Sequence, residues 1–338
     1  MNSITMAEIL RGVTPGRMQS VGYMQIIPLV TELVDERFIP PTGIYSSTSD
    51  YGTVNIENRG SGMTILPMGT GYVVKQAAQN HAIPTAKLVK AGERATINTA
   101  ACIQSSQGGT IRAGQHPMTI IPWALKEAAI MTRNRRQYQK LWGAIEEFNK
   151  RLGLMSRGHL ELYLEKFKDD LDNFIAQFEV VPNQVGAIVL LNGYVMGVER
   201  APNYEYWKAI WKPLIRECYG SLSLQFAKEA GPNPPLPKTR VPLKRAGIDT
   251  LKDVEKAYTE AKGMEDDVIR GTIRKFIKEK FKRSHEEKSG SIEVETLEHK
   301  QFKGQVVRDN DKILYASFVT TSSWNQNHDW YEADEFRI

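Results

Sequence analysis

Apolar positions along this chain follow three successive patterns. From residue 63 to 111 they form short β-type runs between Gly, Pro and Asn, at 63–66, 72–75, 86–89, 95–98 and 101–104. Short strands at that spacing predict a sandwich or barrel-like sheet. Ahead of them, 22–30 predicts a strand, 32–38 a helical turn, 42–53 a loop rich in Ser, Thr and Gly, and 54–57 a strand. From Pro122 the period turns helical, with apolar faces over 123–130, 139–152 and 160–178. Then VGAIVLL and YVMGVE flank Asn192-Gly193, the pair that a two-residue hairpin favours. Residues 204–230 predict helix with a break at Pro213.

The last third reads differently. Residues 231–247 are too rich in proline for helix or central strand and predict an extended arm. Asp249 is placed to cap a long charged helix over about 250–283, followed by a polar loop at 284–290. Runs at 292–297, 302–307 and 313–318 predict three closing strands, and an aromatic, acidic tail follows. The expected fold is α+β, a β-rich sandwich or barrel-like core with packed helices and a long helical insertion. The expected units are 1–230 plus 291–318 as core, 231–290 as arm and basic helix, and 319–338 as tail.

Composition sets outer limits. With 41% hydrophobic and 25% charged residues, a chain this long buries a real core. A net charge of +5 over 338 residues does not by itself require a nucleic-acid partner. Two cysteines, Cys102 and Cys218, make neither a disulfide framework nor a metal cage, which fits a reducing compartment. No apolar run approaches a membrane span, and the start lacks a secretion signal, so the expectation is a cytoplasmic protein with no membrane partner.

Ordered motifs along the chain resemble one family. They are Ile65-Leu66-Pro67 with Gly69, Gln79-Asn80-His81, Lys87-Leu88-Val89 with Ala91-Gly92, and Cys102-Ile103-Gln104 before Gly108. Residues 139–145, Gln184-Val185-Gly186-Ala187 with Asn192-Gly193, and 314–318 continue the series. The chain resembles the ARG and rhodanese–phosphatase-superfamily-associated protein domain over most of its length. That resemblance implies a link to ADP-ribose or NAD metabolism by gene association. It also implies an acid near the cysteine and an Arg-Trp pair, where this chain carries Gln104 and Gly109-Thr110. A neutral amide is no general base.

Three functional readings follow. The first is a non-catalytic, self-associating structural protein, a homo-oligomer in rings or filaments. A basic arm (Lys238, Arg240, Lys244, Arg245) would meet an aromatic tail (Trp324, Trp330, Tyr331, Phe336) of a neighbouring copy. The second is a domain that binds or hydrolyses a nucleotide related to ADP-ribose or NAD, through Gln79, Asn80, His81, Cys102 and Gln104. The bland counterpart is a hydrogen-bonded core network around a small buried cysteine. The third is nucleic-acid binding by Arg270, Arg274, Lys275, Lys278 and Lys282, to which Arg133, Arg135 and Arg136 would add if the two segments meet in space. Its bland counterpart is a surface helix with one packed face. Histidine spacing suggests no metal site, and no catalytic residue or cofactor is assigned.

Overall fold

A computed structural model describes residues 3–74, 79–105, 108–231 and 250–322. The fold is α+β, with 32% helix and 34% strand around a large curled antiparallel half-barrel. That sheet has ten strands. Its order runs Ile4–Thr5, Lys280–Ser289, Ile292–Glu298, Phe302–Asp309, Lys312–Thr320, Tyr194–Arg200, Gln184–Leu191, Met24–Val30 and Thr14–Pro15. Gln19–Val21 also pairs with Met24–Val30.

Both faces of the central strands are covered, which explains why they read as continuous apolar runs. Ile26, Ala187, Val189 and Leu191 point into one core with Trp207, Ile210 and Leu214 of the helical segment. Ile27, Ile188, Leu190 and Val198 point into the other with Phe276, Phe281 and Phe318. The hairpin turn forms as its residues require: Asn192 and Gly193 have φ of 48° and 85°, which Asn and Gly tolerate best. A smaller β-region, residues 45–120, folds into two four-stranded sheets and one two-stranded sheet. Helices Trp123–Thr132, Trp142–Arg151, Glu161–Lys166 and Lys168–Ile175 pack beside it around Leu141, Phe148 and Tyr163.

Several elements differ from expectation. Residues 42–53 contain a strand, Tyr45–Asp50, whose inward positions are Ser46 and Thr48. Hydroxyls replace the apolar signal there, and Thr48 Oγ1 accepts the Ile111 N–H at 2.6 Å. The turn expected at 32–38 is confined to Asp35–Phe38, where the Phe38 N–H donates to the Asp35 carbonyl at 3.3 Å, and Phe38 then bridges to Met63. The helix expected over 160–178 breaks at Phe167 (φ −104°, ψ 19°). The segment 212–219 is wound as a π-helix, beginning at the turn that contains Pro213.

The largest departure is at 277–290. The long helix is Leu251–Phe276, capped by Thr250 with Asp253 at its third position. Lys280–Ser289 is a strand paired to Ile292–Glu298 across Gly290, at φ +63°. Phe276 and Phe281 both enter one core. An unbroken helix would set these two about 140° apart and leave one outside.

Candidate functional site

The five residues Gln79, Asn80, His81, Cys102 and Gln104 do come together. His81 and Cys102 are register partners on adjacent strands. The Asn80 N–H donates to Gln104 Oε1 at 3.2 Å, and Asn80 Oδ1 accepts from the Val74 N–H at 2.7 Å. The Gly52 N–H donates to His81 Nε2 at 2.9 Å. Nδ1 therefore carries the proton and donates to the Gln79 carbonyl at 3.0 Å. All five side chains are buried.

An ionisable group also reaches this cluster, against the expectation of amides alone. Glu161 comes from a helix 57 residues away in sequence, and its Oε2 accepts from Gln104 Nε2 at 2.8 Å. His159 lies beside it, with Nε2 at 3.6 Å from the same oxygen. Glu161 Oε1 is buried with no hydrogen-bond partner among the described residues. Gln104, at the position where the resemblance implies an acid, is itself bonded to a carboxylate from a distant segment. Sequence reading gave no hint of that pairing, because Glu161 opens an ordinary helical stretch and His159 lies just ahead of it.

The electrostatics favour neutral forms. Burial pushes the Cys102 thiol up, so it is a poor nucleophile at neutral pH. Burial holds His81 below its ordinary 6.5. A base lowered in the folded state is protonated first in the unfolded chain, so stability falls as pH drops below about 6.5. Denaturant titrations at about pH 7 and about pH 5 are expected to show a smaller loss in His81→Asn than in the parent. Equal losses would mean that His81 is not held neutral by the fold.

A second buried polar cluster lies between the large sheet and the helices. Lys126 Nζ donates to Glu199 Oε1 at 2.9 Å and to Ser317 Oγ at 3.0 Å. The Tyr219 hydroxyl donates to Glu199 Oε1 at 2.7 Å. Burial pulls the Lys126 ammonium down, but Cys218 and Glu199 outweigh it and the net shift is upward. Burial pushes the Cys218 thiol up to about 12. The sequence did carry a signal for this cluster. Lys126 sits on the apolar face of its helix, and Glu199 ends an apolar strand; charges at such positions are rarely buried unless paired.

The basic run does not form one helical face. Arg270, Arg274 and Lys275 lie on the helix, Lys278 in the following turn, and Lys282 on the strand Lys280–Ser289. Neighbouring cations there meet acids: Arg283 bonds Glu295 at 2.6 Å and Lys288 bonds Glu293 at 2.8 Å. Arg133 is held by Glu286 at 2.7 Å. Ile4–Thr5 covers only the first two residues of the strand Lys280–Ser289, and charges along the rest of its outer side block pairing with other sheets. Lys238, Arg240, Lys244, Arg245, Trp324, Trp330, Tyr331 and Phe336 lie outside the described residues.

A family model described as the ARG and rhodanese-phosphatase-superfamily-associated protein domain matches residues 12–319. The chain belongs to this family. No curated protein and no solved structure matches it. In this member of the family, no three His, Cys, Asp or Glu side chains among the described residues gather as a metal site. No helix among them is long and apolar enough to cross a membrane.

Proposed function

We propose that this protein is a non-catalytic structural module that associates with copies of itself through the projecting half of helix Leu251–Phe276. One observation carries the reading. Leu251, Val254, Tyr258 and Met264 are 89%, 48%, 52% and 45% exposed, and none of residues 251–264 is buried. Leu251, Val254, Tyr258 and Ala261 recur at alternating steps of three and four, the spacing of a coiled-coil seam. The same stripe continues to Ile269, Thr272 and Phe276, where the body of the protein covers it. Near the crossover, Glu265 meets Arg17 at 3.9 Å. Beyond that point no described residue buries the stripe. Solvated helices of this length are marginal in water, and a packed apolar face is what stabilises them.

A second copy of the same helix fits that face. Residues 251–264 carry three cations (Lys252, Lys256, Lys262) and three anions (Asp253, Glu255, Glu260). An antiparallel two-fold pairing therefore brings no net repulsion and closes as a dimer. Contacts between the arm and tail of neighbouring dimers would extend it to rings or filaments.

The burial of the residues around Cys102 and of the Lys126–Glu199 pair supports the non-catalytic part of the reading. The amides and Cys102 serve to join the segments 79–81, 102–104 and 159–161. Sizing chromatography of the full chain and of a chain lacking 323–338, which leaves the strand Lys312–Thr320 whole, separates the two contacts. Association that survives the deletion belongs to the helix. A monomer at high micromolar concentration in both ends the proposal. Calorimetric titration with ADP-ribose and NAD, with Gln79→Ala as control, tests the nucleotide reading. A salt series with DNA and RNA tests the nucleic-acid one.

A further inference from the structure

Arg200 is one of three buried cations among the described residues, with Lys126 and Arg216. Lys126 is paired with Glu199, and Arg216 with Asp172 and Glu217. Arg200 has no carboxylate partner among the described residues. Its Nη1 donates to the carbonyls of Ile9 at 2.6 Å and Arg11 at 2.9 Å. Nε and Nη2 bond to no described residue. A buried cation without a counter-ion is costly, and burial pulls this guanidinium down to about 10.

Arg200 lines a cavity of about 340 Å³. We propose that this cavity binds a small molecule bearing an oxyanion, a carboxylate or a phosphate, on the Nε–Nη2 edge of Arg200. That edge presents two parallel N–H groups, the geometry that such anions accept bidentately. Val185, Pro202 and Leu314 give the cavity apolar walls for the rest of the molecule. Its size lies at the low end of metabolite pockets.

The charges around it favour an anion. Arg11 and Lys312 add two cations to the lining, against Glu8 and Asp311. Lys312 is shared with Asp35 at 2.9 Å. Glu8 is already engaged: its Oε2 accepts from the Thr5 N–H at 2.7 Å and the Thr5 hydroxyl at 2.8 Å. Asp311 is exposed at the rim. The pair of carbonyls on Nη1 fixes the guanidinium plane, so its free edge is held in place before any ligand arrives.

The test is calorimetric titration of the full chain with inorganic phosphate and with acetate, at matched ionic strength. Arg200→Lys retains a donor for the Ile9 and Arg11 carbonyls and loses the planar edge. It is expected to weaken binding by about tenfold or more. Arg11→Ala, at the exposed rim, is expected to weaken it several-fold and to leave the unfolding midpoint unchanged. It decides the question if Arg200→Lys does not fold. Binding of phosphate alone assigns a phosphate ester, and binding of acetate alone a carboxylic acid. No heat with either anion, or equal affinity in parent and variants, overturns the proposal.

Discussion

Lys126→Met is expected to remove about 3–5 kcal/mol of folding stability. Lys126 and Glu199 are 1% and 3% exposed at their side chains. The substitution leaves the Glu199 carboxylate inside the protein with only the Tyr219 hydroxyl to offset its charge. That leaves much of a carboxylate's desolvation cost uncompensated. The loss is a large part of the roughly 5–15 kcal/mol by which domains are stable. Lys126→Met combined with Glu199→Leu removes both charges and is expected to recover most of the loss. Full recovery is not expected, because the hydroxyls of Tyr219 and Ser317 lose their partners. Urea unfolding midpoints of the single and double variants check this. A single variant within about 1 kcal/mol of the parent would mean that the pair is solvated.

Gly197→Ala is expected to cost about 3 kcal/mol, at the upper end for overpacking. Gly197 sits mid-strand, paired with Val189 on one side and Val319 on the other. A methyl group there would overlap the Tyr219 hydroxyl and lie 2.8 Å from the Phe318 carbonyl oxygen. Neither neighbour yields easily. The carbonyl belongs to the sheet backbone, and the hydroxyl cannot move without dropping its bond to Glu199. The absent side chain at 197 is thus what lets the π-helical segment seat Tyr219 over the buried pair. Gly263→Ala is the contrast, since nothing lies within 4 Å of a Cβ on that exposed helical turn. No loss is expected there, because Ala favours helix over Gly. Equal effects at both positions would contradict the close approach of Tyr219.

These two clusters also show what a sequence reveals and what it conceals. The central hairpin was legible because Asn192-Gly193 encodes its own turn and both strands are apolar. The closing strands were legible for the same reason. Strand Tyr45–Asp50 was not, since its inward residues are Ser46 and Thr48 and give no apolar alternation. The strand Lys280–Ser289 hid within a basic run that suits a helix equally well; only the shared core of Phe276 and Phe281 separates the two. At the candidate site, the amides that gather around Cys102 come from two short segments, 79–81 and 102–104, that stood out as polar residues within an apolar β pattern. Glu161 was not, because long-range pairing leaves no local trace. The first half of the long helix read only as charged, and the exposure of Leu251, Val254 and Tyr258 among the described residues is known from the fold alone.

Sedimentation equilibrium over a concentration series, on the parent chain and on Val254→Glu/Tyr258→Glu, is the most direct test of the self-association account. Carboxylates in the seam oppose their own copies across a two-fold pairing. The parent is expected to fit a dimer or larger assembly, and the variant to sediment as a monomer with unchanged unfolding. A parent that stays monomeric throughout, or a variant that assembles as the parent does, would contradict the account.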